Sequence, residues 1–187
     1  MHQPQDVLDF WFGVPAGAPR KAWFVKDPVF DESIRARYLE LHNAAAGGSL
    51  AEWKEQPRSA LALIVVTDQF PRNLFRGSPR AFETDPLALE TAKQVVDKGW
   101  DQAMLPIERL FVYLPFEHSE SLAEQERSLE LYEPLKAFPQ TADPEDYPKR
   151  HWVIVKRFGR FPHRNAALGR ESTAEEIVFL KQPGSGF

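Results

Sequence analysis

Two short segments place Phe, Pro, Arg and Asn in nearly the same order. DQFPRNLFRG runs from Asp68 to Gly77, and RFGRFPHRNAALGR runs from Arg157 to Arg170. Each segment follows an apolar run, and its proline redirects the backbone, so polar side chains emerge where helix-end groups need partners. An arginine fork reaches two acceptors of a phosphate or carboxylate at once, and an asparagine amide both donates and accepts. The pattern favours an anion-binding site at two corners of the fold.

Ten polar side chains of these corners are the candidate ligand-binding residues: Asp68, Gln69, Arg72, Asn73, Arg76, Arg157, Arg160, His163, Arg164 and Asn165. If the corners face each other, their arginines line one cleft. From Lys149 to Arg170 the chain has seven basic residues and no acidic one, whereas the stretch 108–146 is rich in Asp and Glu. A second interpretation is that these two stretches neutralise each other through internal ion pairs.

The string PFEHSE supplies the candidate catalytic residues, Glu117 and His118. Histidine titrates near neutral pH and a neighbouring carboxylate can orient it, so the pair suits general acid/base chemistry. The alternative is a polar helix start, where Glu and Ser serve capping and the helix dipole. No metal site is expected, because His-x-x-x-His and Glu-x-x-His spacings are absent. No cofactor is expected either, because Gly-rich phosphate loops and dinucleotide fingerprints are missing.

Composition bounds the remaining possibilities. The chain has 187 residues, no cysteine and a net charge of −4, which predicts one soluble domain without disulfides or a thiol nucleophile, and argues against nucleic-acid binding. The longest apolar runs, ALALIVV and LFVYLPF, are far shorter than the roughly 18 residues of a membrane span, and the amino terminus lacks the layout of a signal peptide. We expect a cytoplasmic protein without membrane contact; the sequence gives no prediction of oligomeric state.

The elements that must position these residues are helices. Apolar spacing, caps and prolines predict helices in PVFDESIRARYLELHNAAAGG, TDPLALETAKQVVDKGW, SLAEQERSLELYEPLKAF and STAEEIVFL. The apolar runs SALALIVVTDQF and HWVIVKRF are interpreted as buried helices, since no hairpin or strand-helix alternation accompanies them. An amino-terminal group of aromatic residues is expected to dock across the core: Phe10, Trp11, Phe12, Trp23 and Phe24. The prediction is one all-α domain over residues 1–182 and a flexible tail over 183–187.

Several of these strings also resemble one bacterial family. LDFWFG at Leu8 to Gly13, TDQFPRNLFRG, PFEHSE and RFGRFPHRNAALGRES occur in the order found in the bacterial domain of unknown function 924 family, and the resemblance spans essentially the whole chain. It implies a tetratricopeptide-like fold of antiparallel helix pairs. It implies no reaction, so no catalytic residue is carried over from it.

Three functional hypotheses follow. The first is a helical binding protein whose Arg- and Asn-lined cleft holds a small anionic molecule or an acidic peptide. The second is a metal-independent hydrolase or isomerase that uses Glu117 or His118 as a base and arginines to stabilise negative charge. The third is a structural or scaffold protein whose arginines close internal salt bridges with glutamates.

Overall fold

Proline begins most of the helices. In the computed structural model, which describes residues 2–143 and 146–186, seven of the nine α-helical segments have proline in their first turn, where its missing N–H is not needed. The segments are α1 Pro4–Phe12, α2 Pro28–Ala46, α3 Pro57–Ile64, α4 Phe70–Leu74, α5 Asp85–Asp97, α6 Pro106–Glu117, α7 Leu122–Tyr132, α8 Tyr147–Phe158 and α9 Ala174–Leu180. Short 3₁₀ turns connect many of them, and the described residues contain no strand.

Segments α3 and α4 belong to one rod. A π-helical segment, Val65–Gln69, joins them without a break, so the described residues form eight separate helices. The wider π turn inserts one extra residue and changes which side chains face the neighbouring helices. The Thr84 hydroxyl donates to the Thr67 carbonyl oxygen at 2.6 Å, which satisfies one of the loosened backbone groups. No residue composition signals a π segment, so the sequence predicts only an unbroken buried helix there.

The core lies around α3, which packs against α1, α5 and α6. The docked amino terminus is confirmed for Trp11 and Phe12, which are buried, and the ring of Phe111 in α6 packs edge-on against both. The same prediction is wrong for Phe24, which is 67% exposed because it lies at the end of the 3₁₀ turn Lys21–Trp23, outside the packed helix face. The aromatic segment therefore closes one side of the core through α1.

The predicted helices are found in the structure as an all-α single domain, with one correction and two omissions, α1 and α6. HWVIVKRF forms most of α8 but is buried on one side only: Ile154 and Val155 are buried, whereas Val153 is 47% exposed. Its basic residues keep the other side in solvent. Helix α6 was not predicted, because Pro115 near its end masks the helical pattern of LFVYLPF.

The ends of α2 and α9 match the predicted signals, but the expectation that Pro71 redirects the backbone is wrong: it lies at the second position of α4, and the helix continues through it to Leu74. Asp27 caps α2 through the backbone N–H groups of Val29 and Phe30, and Gly47 follows its last turn. Thr173 and Glu176 form the predicted capping box of α9. In the described chain, no helix is both long and apolar enough to span a bilayer. The flexible tail over 183–187 remains a prediction; the Ser185 hydroxyl donates to the Leu180 carbonyl oxygen at 3.1 Å.

Candidate functional site

Asp68 and His118 form a hydrogen-bonded pair between the π segment and the end of α6. Nδ1 of His118 lies 2.8 Å from Oδ1 and 3.1 Å from Oδ2 of Asp68. A carboxylate can only accept, so Nδ1 carries the hydrogen and Nε2 keeps its lone pair. Asp68 is fully buried, whereas the His118 side chain is 14% exposed. The pair therefore presents a basic nitrogen at the edge of the core.

The charges around this pair keep it in the neutral-imidazole state. Burial raises the pKa of Asp68, but the charges of Arg72 and His118 and the hydrogen bonds that Asp68 accepts outweigh burial, so the pKa lies well below its usual range. Burial and then the Arg72 charge lower the pKa of His118, although Asp68 opposes both. At neutral pH the carboxylate is ionised and the imidazole is uncharged, which are the states that a general base requires.

Two arginines, one from each Phe-Pro corner, meet at Asp85 beside this pair. Arg72 of α4 donates from Nη1 and Nη2 to the two Asp85 oxygens at 2.9 and 3.0 Å. Arg164, in the 3₁₀ turn Pro162–Arg164, places Nη1 3.5 Å from Asp85 and donates from Nη2 to the backbone oxygen of His118 at 2.9 Å. The structure thus brings together one arginine from each corner, with His118 between the two segments.

Aromatic rings hold Arg164 in place. Its guanidinium lies 4.7 Å from the centre of the Phe82 ring and 4.5 Å from that of Phe161, and Arg72 lies 5.8 Å from Phe82. In the described chain, Nε of Arg164 is buried and has no hydrogen-bond partner. Burial and the nearby Arg72 charge lower the pKa of Arg164 to about 10. Arg164 is thus a fixed cation whose hydrogen-bonding capacity is only partly used.

Glu117 faces away from this site. Its Oε1 lies 3.0 Å from Nδ1 of His151 in α8, and its side chain is buried. Burial raises the pKa of Glu117 to about 8, a rise that the hydrogen bond from Tyr132 offsets only in part. Because solvent does not reach Glu117, the structure places it behind His118 as a buried acid. It does not place the two predicted catalytic residues together at one surface.

The other predicted residues lie in four places. Gln69 donates to Asp68 within the site. Asn73 and Arg76 both bind Asp31 of α2, on a different side of α4. Near α9, Arg157 binds Glu175, Arg160 binds both oxygens of Glu176, and Asn165 donates to Ser172 and Glu176. His163 packs beside Phe161, and burial followed by the Arg164 charge lowers its pKa to about 4. The structure therefore does not gather all the corner arginines in one cleft.

Two residues of the site escaped sequence reasoning. Asp85 and Phe82 lie between the two Phe-Pro corners in the sequence. Asp85 is the first residue of α5 and Phe82 precedes it, so they look like ordinary residues of a helix start. The only signal was an acidic residue beside Pro86, which the helix dipole explains equally well.

The ion pairs expected between residues 149–170 and residues 108–146 form only in part. Arg170 binds Glu120, but Arg157 and Arg160 bind glutamates of α9.

The described residues contain no group of three or more His, Asp or Glu side chains placed to hold a metal ion.

A comparison with known proteins places the chain in a family. The family model described as bacterial protein of unknown function (DUF924) matches residues 7–184. A solved structure, titled as that of the protein of unknown function ATU0120 from Agrobacterium tumefaciens, is 42% identical, has a TM-score of 0.85, and covers 95% of this chain and 96% of its own. No curated protein matches. The chain belongs to the DUF924 family of bacterial proteins.

Proposed function

We propose that the protein is a metal-independent hydrolase or isomerase that acts on a small anionic compound, with His118 as the general base. The observation that carries the proposal is the 2.8 Å contact between Nδ1 of His118 and the buried carboxylate of Asp68, with the Arg164 guanidinium held against the same residue. Of the two candidate bases in PFEHSE, only His118 is reached by solvent. Glu117 therefore has no catalytic role in this proposal.

His118 accepts one proton and later returns it. Nε2 of His118 takes a proton from a water molecule, in hydrolysis, or from a substrate carbon beside a carbonyl or carboxylate, in isomerisation. Asp68 stays ionised and stabilises the imidazolium that forms. The proton then returns from Nε2 to the leaving group or to the product. The imidazole ends each cycle neutral, as it began.

Arg164 supplies the affinity for an anion, whereas Arg72 is held by both oxygens of Asp85. The positive charges of these two arginines are balanced by Asp68 and Asp85, so the neutral site has no excess of either sign before a substrate binds. An added phosphate or carboxylate group beside Arg164 favours the protonated form of His118, because opposite charges attract. The anionic group therefore both anchors the substrate and strengthens the base. The carboxylate of an acidic peptide end has the same chemistry.

A substrate panel tests the proposal. The purified protein is incubated with small esters that carry a phosphate or carboxylate and, in D₂O, with carboxylic acids whose α-proton can exchange; both reactions are followed by NMR. We expect turnover to fall by about 10²–10⁴-fold in His118→Gln and to fall in Arg164→Gln. The control Arg160→Gln, whose ion pair lies near α9, should keep it. Turnover that is unchanged in His118→Gln would remove His118 from the mechanism.

A scaffold function is the second candidate, and the ion pairs near α9 favour it. Arg157 and Arg160 are occupied by Glu175 and Glu176, so these arginines support the fold and are poorly available to a ligand. Consecutive helices α5, α6, α7 and α8 also pack as neighbours, which supports the proposed tetratricopeptide-like arrangement. A scaffold would bind a partner without turnover, and its binding would be insensitive to His118→Gln.

A further inference from the structure

A second group of basic residues lines a surface hollow between α2 and the end of α4. The hollow has a volume of about 610 Å³, and its polar lining includes Lys26, Arg35, Arg76, Arg80, Asp31 and Asn73. We call it the basic hollow. It lies on the Asp31 side of α4, whereas Arg72 on the same helix faces Asp85 and the His118 site. The two sites therefore share a helix but no lining arginine.

Two cations of the basic hollow, Arg35 and Arg80, donate hydrogen bonds to neutral oxygens. Arg35 donates from Nη2 to the carbonyl oxygen of Leu74, and Arg80 donates from Nη2 to the amide oxygen of Asn43 at 3.0 Å. Such partners orient a guanidinium but leave its charge uncancelled. The guanidinium carbon of Arg80 also lies 3.9 Å from the centre of the Phe75 ring, a cation–π contact that helps to hold this arginine in place. Both arginines are thus arranged for an acceptor from outside the chain.

The acids nearby neutralise only part of this charge. Asp31 is occupied by Arg76 through two hydrogen bonds at 2.8 and 2.9 Å. Glu32 and Glu83 approach Arg35 and Arg80 no closer than 3.7 Å and are well exposed, so water and salt screen these pairs. In the described chain, Lys26 has no ion-pair partner within bonding distance. The hollow keeps excess positive charge on a chain whose net charge is −4.

We propose that the basic hollow is a second binding site, for a small compound with two or more phosphate or carboxylate groups. Arg35 and Arg80 bind separate anionic groups of this compound through their free N–H donors, while Arg76 stays held by Asp31. Lys26 adds charge at the rim. A multivalent ligand is favoured over a single anion because the available cations lie on different helices and loops around one volume. This proposal does not depend on catalysis at His118.

Calorimetric titration of the full chain with inorganic pyrophosphate and with citrate tests the site. We expect saturable binding of at least one probe, with an affinity that falls as salt is added. The double variant Arg35→Gln and Arg80→Gln should weaken that binding by about ten-fold or more. Circular dichroism and the thermal midpoint verify that the variant is folded. Lys26→Gln, which removes a rim charge without a described ion pair, is a second, milder variant and should weaken binding less.

Two control variants show whether the probes bind at the basic hollow. Arg127→Gln removes an exposed arginine that pairs with Glu130 of α7 and should leave binding unchanged. Arg164→Gln should leave unchanged the component of binding that the double variant removes, which separates the basic hollow from the His118 site. Binding of pyrophosphate alone identifies a phosphate ligand, and binding of citrate alone a carboxylate ligand. The proposal is overturned if neither probe binds, or if the double variant binds both probes as tightly as the unaltered protein does.

Discussion

Arg164 donates from Nη2 to the backbone oxygen of His118 at 2.9 Å, so the cation of one Phe-Pro corner is bound to the backbone of the proposed base. The imidazole of the same residue is bound by Asp68, which comes from the other corner. Both Phe-Pro corners therefore contribute a residue that contacts His118, although most residues of the two corners lie elsewhere. Four predictions follow from this arrangement and from the packing that supports it.

Replacing Asp68 by Asn should make His118 less basic. In the unaltered protein, burial and Arg72 lower the pKa of His118, while the Asp68 charge and hydrogen bond raise it. Removing that charge leaves burial and Arg72 opposed only by the Asp85 charge, so the pKa of His118 should fall further. A pH titration of the His118 ring signals by NMR measures the shift. An unchanged or higher pKa in Asp68→Asn would contradict the assignment of this pair.

Replacing Glu117 by Gln should remove a pH-dependent loss of stability. Because the pKa of Glu117 is raised from 4.5 to about 8 in the fold, its contribution is fully favourable below about 4.5 and is lost as pH rises through about 8. Glu117→Gln should therefore gain stability relative to the unaltered protein between these pH values, on the order of a few kcal/mol.

Urea unfolding of both proteins at several pH values measures this difference. His151, Tyr132, Asp143 and Asp68 surround Glu117 in both proteins, so their own titration largely cancels. The exposed Glu130→Gln is the matched control and should show no such trend. A difference between Glu117→Gln and the unaltered protein that stays constant with pH would be inconsistent with a buried, neutral acid.

Arg160→Gln should destabilise the fold and leave the His118 site intact. Its guanidinium binds both oxygens of the buried Glu176, which also caps the start of α9. The hydrogen bond from Arg160 is the main reason that the pKa of Glu176 falls to about 2, so the ion pair stabilises the fold above about pH 4.5 and is lost as pH falls through about 2. Thermal unfolding at neutral pH should show a lower midpoint. Equal midpoints at neutral pH would refute a structural role for this pair.

Trp11→Ala should cost about 3–5 kcal/mol of unfolding free energy. Trp11 is fully buried, and its ring packs against Phe70 and Phe111. Its loss leaves a cavity where α1 closes the core. Denaturant unfolding checks the value, and Phe24→Ala, at an exposed aromatic residue of the same region, is the control with little expected effect. A small loss for Trp11→Ala would mean that α1 is not part of the cooperative core.

The helices could be predicted from the sequence where local signals mark both ends. Helix α2 has Asp27 and Pro28 at its start and Gly47 after its end, and α9 has the Thr173 and Glu176 capping box. Caps and prolines act within a few residues, so they can be interpreted without knowing the fold. The sequence leaves open whether the Phe-Pro corners face each other; in the structure one arginine of each, Arg72 and Arg164, reaches Asp85.

The rest of the site depends on contacts between distant segments. Asp85 becomes the shared partner of Arg72 and Arg164 only when α5 packs against the rod of α3 and α4. Likewise, His118 meets Asp68 only because the end of α6 packs beside the π segment, and its neighbour Glu117 contacts His151 of α8. Neither the partner of a charge nor the inserted residue of a π turn has a local sequence signal.

The ring nitrogens of His118 give the most direct test of the central claim. Long-range ¹H–¹⁵N NMR of the imidazole at pH 7 should show a neutral ring protonated on Nδ1. Adding succinate or inorganic phosphate should then shift its signals in a saturable way that Arg164→Gln abolishes. A ring protonated on Nε2, or signals that neither anion moves, would contradict a general base placed beside an anion-binding arginine.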